Sequence, residues 1–145
     1  SAALGLARAQ AINPNVRESL LTIQRDLYNM MADLATVPET AMRAACLVAD
    51  RLKWLEQTTD ALGEQVVLPP AFIVPGDSVS GATLEVARTV VRRAERLVAR
   101  LTHEDAVRDD IPLRYLNRLS SLLFVMARVE DADAGVEQFT LAADE

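Results

Sequence analysis

Apolar residues recur at helical spacing in four long stretches of this chain, and this periodicity constrains the fold more than any other feature. The clearest stretch follows Asn13-Pro14, which is an N-cap residue followed by proline at the first helical position. Because side chains three and four apart share one helix face, the pattern predicts a helix from Pro14 to about Thr36. Its apolar positions are Val16, Leu20, Ile23, Leu27, Met30, Met31 and Leu34.

The remaining helices are predicted in the same way. They span residues 1–11 (the tail of a helix that begins before the sequence), 38–63, about 80–101 and 112–129. Ser78 or Ser80 caps the fourth of the five helices, and Gly63 ends the third. No strand pattern or internal repeat is present. We therefore expect one all-α domain over residues 1–145, an antiparallel bundle of four or five helices, with residues 130–145 as a frayed acidic tail.

Composition agrees with a helix bundle and excludes several partners. Half of the 145 residues are hydrophobic but only 4% are aromatic, and the net charge is −6. An acidic protein is repelled by nucleic acid and by anionic membranes. No apolar run reaches the roughly 20 residues that span a bilayer, and the single Cys46 cannot form an internal disulfide. The expectation is a soluble cytoplasmic protein.

Four arginines lie within nine residues of the fourth helix: Arg88, Arg92, Arg93 and Arg96. At about 100° per residue, Arg92 and Arg96 project nearly together. A cluster of guanidinium groups is typical of an anion site, but a solvated helix face gives the same spacing. The opposite side, expected to face the core, carries Ala87, Val90, Val91, Ala94, Val98 and Leu101.

Four segments, in the same order along the chain, resemble the ATP:cob(I)alamin adenosyltransferases of the propanediol-utilisation type. They lie within residues 23–35, 72–76, 84–96 and 115–124, and they read IQRDLY with ADLA, FIVPG, LEVARTVVRRAER and YLNRLSSLLF. The resemblance covers most of the chain, from about Ile23 to Arg128. It implies a homotrimer that binds ATP and a corrinoid between adjacent subunits, with Mg²⁺ accompanying ATP.

The resemblance also implies the reaction. Cobalt(I) attacks the C5′ carbon of ATP and triphosphate leaves, so the protein needs no nucleophile of its own. A flavoprotein reductase or an adenosylcobalamin-dependent mutase is the implied protein partner. Two alternatives of other classes are a non-catalytic trimeric homologue, which binds corrinoid or serves as a scaffold, and a helical interaction module unrelated to cobalamin.

By the same resemblance, Arg92 and Arg96 face the nucleotide phosphates, and Glu95 orients an arginine or the nucleotide. Arg88 is expected to belong to the same cofactor-binding set, the alternative being a structural or inter-subunit ion pair. Arg96 and Phe72 are the candidate catalytic residues.

In the last helix, the resemblance implies that Asn117 contacts the nucleotide, and Ser121 shares its face. Arg114 and Arg128 are expected nearby. Arg118 contacts substrate or forms a salt bridge. Phe72 matches a family aromatic residue that lies against the lower face of the corrinoid, so the resemblance implies the same role here. The alternative is that Phe72 is a loop phenylalanine packed into the core.

Three positions depart from the family pattern. Glu85 replaces a histidine and is expected to weaken anion binding, Ser121 replaces an aspartate, and Gly76-Asp77 replaces a glycine pair. Family members also carry an N-terminal Thr-Gly-Asp-x-Gly-Thr type loop that wraps ATP phosphates. This sequence opens at residues that resemble those just after that segment, so the segment either lies outside the sequence or has been lost.

No metal site is predicted from the residues themselves. His103, the only histidine, lacks cysteine or histidine companions. Asp26 and Asp33 are seven residues apart on the second helix and are expected to pair with arginines across the bundle.

Overall fold

The chain folds into five helices, which confirms the predicted all-α bundle. The computed structural model describes residues 1–35, 49–104, 107 and 109–143. The helices are α1 (Ala2–Gln10), α2 (Pro14–Ala35), α3 (Ala49–Gly63), α4 (Val79–His103) and α5 (Ile111–Asp133). Within these ranges no helix is long and apolar enough to cross a membrane.

Helix α5 is the centre of the bundle. It packs along α4 on one side and against α3 on the other, while α1 covers parts of α2 and α4. Most of its side chains are buried, including Tyr115, Leu119 and Met126, each with no exposed surface. A helix buried over most of its surface must be enclosed by its neighbours, so α5 holds the other helices around one core.

Two predicted helix starts are confirmed by their caps. The Asn13 side-chain oxygen accepts hydrogen bonds from the backbone N–H groups of Asn15 (2.9 Å) and Val16 (3.2 Å). Ser78, one of the two predicted caps, accepts from the N–H of Gly81 at 2.9 Å. These bonds satisfy donors that the first helical turn leaves without partners. The predicted start of the third helix at Pro38, and Cys46, lie outside the described residues.

The predicted frayed tail is wrong for the part that is described. Helix α5 continues one turn beyond Val129, and Glu130 and Asp131 are completely buried. The Glu130 carboxylate accepts hydrogen bonds from the N–H groups of Ile12 (2.8 Å) and Asn13 (3.0 Å), so it joins the end of α5 to the α1–α2 turn. Acidic composition alone did not reveal that these carboxylates have buried partners.

Helix α4 has a broader apolar surface than the sequence predicted. Val90 and Leu101 were expected to face the core, but they are 48% and 37% exposed. They lie on a second face whose apolar side chains are all exposed: Val79, Val86, Val90, Leu97 and Leu101. Successive members lie seven, four, seven and four residues apart, which keeps them on one helix face. The helix therefore presents one apolar face to its own core and another to the outside.

Candidate active site

Four of the predicted site residues form one connected network between α4 and α5. Glu95 accepts a hydrogen bond from Arg92 at 2.6 Å and another from the side-chain amide of Asn117 at 2.9 Å. Arg118 in turn donates to the Asn117 side-chain oxygen at 3.1 Å and pairs with Glu56 of α3 at 2.9 Å. Glu95 thus orients an arginine, which is one of its predicted roles. Of the two contacts predicted for Arg118, with substrate or in a salt bridge, the structure shows the salt bridge.

Arg96 lies one turn beyond Arg92 and differs from it in its contacts. Its side chain is exposed and forms no hydrogen bond or ion pair within the described part of the chain. Ser121 on α5 is exposed as well. The guanidinium group of Arg92 is therefore fixed by Glu95, and that of Arg96, one turn later, has no partner among the described residues. Two such groups four residues apart suit an anion with several oxygens.

Arg88 and Glu85 belong to a different environment. Arg88 donates to Glu85 at 2.8 Å, so it forms an ion pair within its own subunit. The side chain of Glu85 is only 7% exposed, and its other oxygen lies 3.4 Å from the guanidinium of Arg128. Glu85 thus pairs with both Arg88 and Arg128.

Arg128 was expected near Asn117 and Ser121 but lies in the core. Its side chain is 1% exposed and sits against the rings of Phe124 and Phe139, with 5.4 and 5.5 Å to their centroids. Besides the Glu85 carboxylate at 3.4 Å, the Asp131 carboxylate lies 3.1 Å from its guanidinium group. None of the three guanidinium nitrogens has the geometry of a hydrogen bond to any described residue. The charge is held by two carboxylates and two aromatic faces.

The same cluster fixes the start of α4. Asp131 accepts a hydrogen bond from the Ser78 hydroxyl at 2.6 Å, and Ser78 caps the helix. A Cβ atom at Gly81 would approach the Asp131 carboxylate oxygen to 2.0 Å, so only glycine permits this contact. Burial raises the pKa of Asp131, while the hydrogen bond from Ser78 and the charge of Arg128 act in the opposite direction.

Phe72 lies in the long connection before α4, and its side chain is 87% exposed. The predicted alternative, in which this phenylalanine packs into the core, is wrong. Other apolar side chains of the connection are exposed too, with Val67 at 92%, Leu68 at 43% and Val74 at 41%. Exposed apolar groups concentrated in one connection form a surface suited to a flat apolar ligand.

Asp26 pairs with an arginine, as predicted, and does so across the bundle. It accepts two hydrogen bonds from Arg51 Nε and one from Arg51 Nη2, at 2.8–3.0 Å. The hydroxyl of Tyr115 donates to the same carboxylate at 2.7 Å. Burial and the neighbouring Asp26 raise the pKa of Tyr115, so the phenol stays protonated and remains a donor. This contact joins α2, α3 and α5 and is structural.

The predicted site residues do not all lie together. Phe72 precedes the first turn of α4, whereas Arg96 lies 17 residues after the helix begins. At the α-helical rise this corresponds to about 25 Å along the axis. The apolar connection therefore precedes the first turn of α4, whereas the arginine network lies in the second half of the helix.

Among the described residues, no group of three or more histidine, cysteine, aspartate or glutamate side chains is placed to hold a metal ion.

Comparisons with known proteins agree with these observations. Residues 1–130 match the cobalamin adenosyltransferase family model. The chain is 38% identical over 135 residues to a corrinoid adenosyltransferase PduO of Citrobacter freundii, covering 92% of this chain and 40% of that protein. It is 36% identical over 137 residues to a corrinoid adenosyltransferase of Bacillus subtilis, covering 92% of this chain and 69% of the relative.

A solved structure shows the same fold. It is a phenylalanine-to-alanine variant of a PduO-type ATP:corrinoid adenosyltransferase from Lactobacillus reuteri, complexed with cobalamin and ATP. The TM-score is 0.86 at 27% sequence identity, over 99% of this chain and 80% of that one. With the family model matching nearly its whole length, this chain belongs to the cobalamin adenosyltransferase family.

Proposed function

We propose that the protein is a corrinoid adenosyltransferase, which transfers the 5′-deoxyadenosyl group of ATP to cob(I)alamin. The observation that carries this proposal is the pair of neighbouring guanidinium groups on α4, one held by Glu95 and the other unpaired. In this reaction a cobalt–carbon bond forms at C5′ and the C5′–oxygen bond breaks. Triphosphate leaves with the electron pair, and its charge must be stabilised.

The arginines provide that stabilisation. Arg92 and Arg96 remain charged at any working pH and bind phosphate oxygens in pairs. Since Glu95 and Asn117 already orient Arg92, little rotamer freedom is lost on binding. Asn117 and Arg92 both donate hydrogen bonds to Glu95, and we assign Asn117 to nucleotide contact. Mg²⁺ would arrive with the nucleotide, coordinated by phosphate oxygens.

Phe72 is assigned to the corrinoid. An exposed aromatic ring can lie against the lower face of the corrin and keep water and dimethylbenzimidazole from coordinating cobalt. A cobalt(II) ion without a lower ligand is easier to reduce to cobalt(I). The neighbouring exposed apolar side chains, Val67, Leu68 and Val74, would extend this surface.

Phe72→Ala should therefore lower turnover from cob(II)alamin more than turnover from chemically reduced cob(I)alamin. Cobalt(I) already lacks the lower ligand, so the aromatic ring has less to contribute in that case. Paired rates from the two substrates measure the difference, alongside a melting curve.

The matched control is Leu6→Ala, which removes an exposed apolar side chain (54%) of α1, outside the connection. It should leave the ratio of the two rates unchanged. Equal losses from both substrates in Phe72→Ala, together with a lower melting temperature, would assign Phe72 to packing.

The active protein is proposed to be a homotrimer with each site shared between two subunits. Two observations support this arrangement. The outer apolar face of α4 has no partner among the described residues, and its spacing suits a neighbouring helix. Arg96 also lies about 25 Å along the axis from the start of α4, the end of the helix that the Phe72 connection precedes. A corrinoid against one subunit's Phe72 is therefore better served by the arginines of another.

Leu97→Glu should dissociate the trimer and abolish adenosyl transfer, because it places a charge in the centre of the outer apolar face of α4. Leu97 is 53% exposed, so the folded monomer should tolerate the change. Light scattering gives the mass, and circular dichroism checks the fold. Met31→Glu, at a methionine of similar exposure (52%) on α2, is the control and should remain trimeric. A wild-type protein that is monomeric at micromolar concentration would contradict the shared site.

The remaining partners follow from the chemistry. A reductase, with a flavoprotein as the natural class, must supply cobalt(I), and an adenosylcobalamin-dependent mutase would accept the product. We place the reaction in the cytoplasm, where ATP is available.

Equilibrium titrations with ATP and with cob(II)alamin, followed by a transfer assay, test the function. A non-catalytic homologue would bind corrinoid but transfer no adenosyl group.

A further inference from the structure

We infer that Asp77 is a positioning residue that clamps the C-terminal segment, residues 139–142, against the Phe72 connection and so fixes the backbone of Phe72. The inference rests on the proposed corrinoid contact of Phe72.

The clamp consists of paired extended backbone and one carboxylate. The N–H of Val74 donates to the carbonyl of Thr140 at 2.7 Å, and the N–H of Ala142 donates to the carbonyl of Phe72 at 2.8 Å. Ile73 and Leu141 form an antiparallel bridge between these bonds. Phe72 is therefore held through its own carbonyl.

Asp77 closes the clamp at its end. One carboxylate oxygen accepts from the N–H of Thr140 at 2.9 Å, and the other accepts from the Thr140 hydroxyl at 2.6 Å. The residue before it, Gly76, has a φ of 130°, a conformation that other residues rarely adopt. The turn at Gly76 thus lies between the paired residues 72–74 and the Asp77 carboxylate. The hydrogen bonds from Thr140 lower the pKa of Asp77, so the group is ionised and accepts both bonds at neutral pH.

The clamped segment is also attached to the core. Val136 donates its N–H to the Asp131 carbonyl at 3.0 Å, and the Phe139 ring lies 5.5 Å from the buried guanidinium of Arg128. The clamp is thereby continuous with the cluster that caps α4. A short isolated bridge would open easily in water, but the segment that leads into this one is attached to the core.

The consequence is a fixed backbone that carries an exposed ring. Phe72 is 87% exposed although its carbonyl is bonded and its neighbours Ile73 and Val74 are paired. Preorganisation of this kind reduces the entropy lost when a ligand is bound. Without Asp77, the ring would still be present but its position would vary.

Asp77→Ala in the complete protein tests the inference with two independent measurements. The amides of Val74 and Ala142 should exchange with deuterium about tenfold faster, because charge-assisted hydrogen bonds to Asp77 are lost. When cob(II)alamin and ATP are both bound, the fraction of cobalt(II) without a lower ligand, measured from the absorption spectrum, should fall. Turnover from cob(II)alamin should fall while turnover from cob(I)alamin and the KM for ATP change little. Asp77→Asn, which keeps an acceptor oxygen, should recover part of both effects.

Two comparisons sharpen the result. Asp60→Ala removes an exposed carboxylate of α3 that makes no side-chain hydrogen bond to the described residues, and it should match wild type in every measurement. Thr140→Val should reproduce part of the Asp77→Ala effect, and the double variant should be no worse than Asp77→Ala alone, since both substitutions break the same contact.

Wild-type exchange at Val74 and Ala142 in Asp77→Ala would overturn the clamp. Faster exchange with an unchanged cob(II)alamin spectrum would overturn the positioning role. The cob(II)alamin spectrum requires binding but no transfer, so it tests this inference independently of the reaction. A wild-type protein that binds cob(II)alamin and transfers nothing would refute the proposed function, and the spectrum would still decide this inference. Absence of cob(II)alamin binding would overturn both.

Discussion

Replacing Arg128 by methionine should lower the free energy of unfolding by about 3–5 kcal/mol, the usual cost of removing one partner from a buried ion pair. The side chain is 1% exposed, and its removal leaves Asp131 without its positive neighbour and Glu85 with Arg88 alone. Urea unfolding measures the change. The loss should also loosen the start of α4, because Asp131 holds the capping Ser78.

Two variants show whether burial is the cause. Arg88→Met removes the other arginine of the cluster, which is 35% exposed, and should cost less than about 1 kcal/mol. Adding Asp131→Asn to Arg128→Met should recover part of the lost stability, since the amide can still accept from Ser78 and carries no charge. Equal costs for Arg88→Met and Arg128→Met would contradict the account of a buried charge cluster.

Arg96→Ala should abolish adenosyl transfer with little loss of fold. A charge-assisted contact to phosphate contributes roughly 1.5–3 kcal/mol, so ATP affinity should fall at least about tenfold. The arginine is exposed and has no partner among the described residues, so the folded state loses no ion pair. Titration with ATP and steady-state rates measure the two effects, and a melting curve tests the fold.

The matched control is Arg100→Ala, which removes an equal charge from the same exposed helix one turn later. It should bind ATP nearly as wild type does, apart from a small long-range electrostatic loss. If Arg96→Ala and Arg100→Ala weaken ATP binding equally, the effect is one of general charge and Arg96 does not contact the phosphates.

The arginine face of α4 and the helix boundaries could be predicted because they depend on local rules. Asn13-Pro14 and Ser78 mark helix starts through hydrogen bonds that span only two or three residues. The spacing of Arg92 and Arg96 follows from helix geometry alone. Helical periodicity also placed α5 correctly, although it did not predict the additional turn.

The buried charges could not be predicted because they depend on contacts between distant residues. The sequence predicted Arg128 near Asn117 and Ser121, and Asp131 in a frayed tail. Phe139, Glu85 and Ser78 enclose these two residues only after folding. Contacts such as that between Glu130 and Ile12 join residues more than a hundred positions apart.

The outer apolar face of α4 shows a further limit of periodicity. Val90 and Leu101 lie at its border with the core-facing side, and apolar character alone could not distinguish burial within the subunit from burial against a neighbour. Leu97 carries the same ambiguity. Exposure in the folded subunit was needed to separate the two faces.

The most direct measurement is single-turnover adenosyl transfer by the complete wild-type protein, with excess cob(I)alamin and limiting ATP. The account predicts one adenosylcobalamin and one triphosphate per ATP consumed, with no transfer by Arg96→Ala under the same conditions. Wild-type protein that binds both ligands yet forms no adenosylcobalamin, or an Arg96→Ala variant that matches wild type, would contradict it.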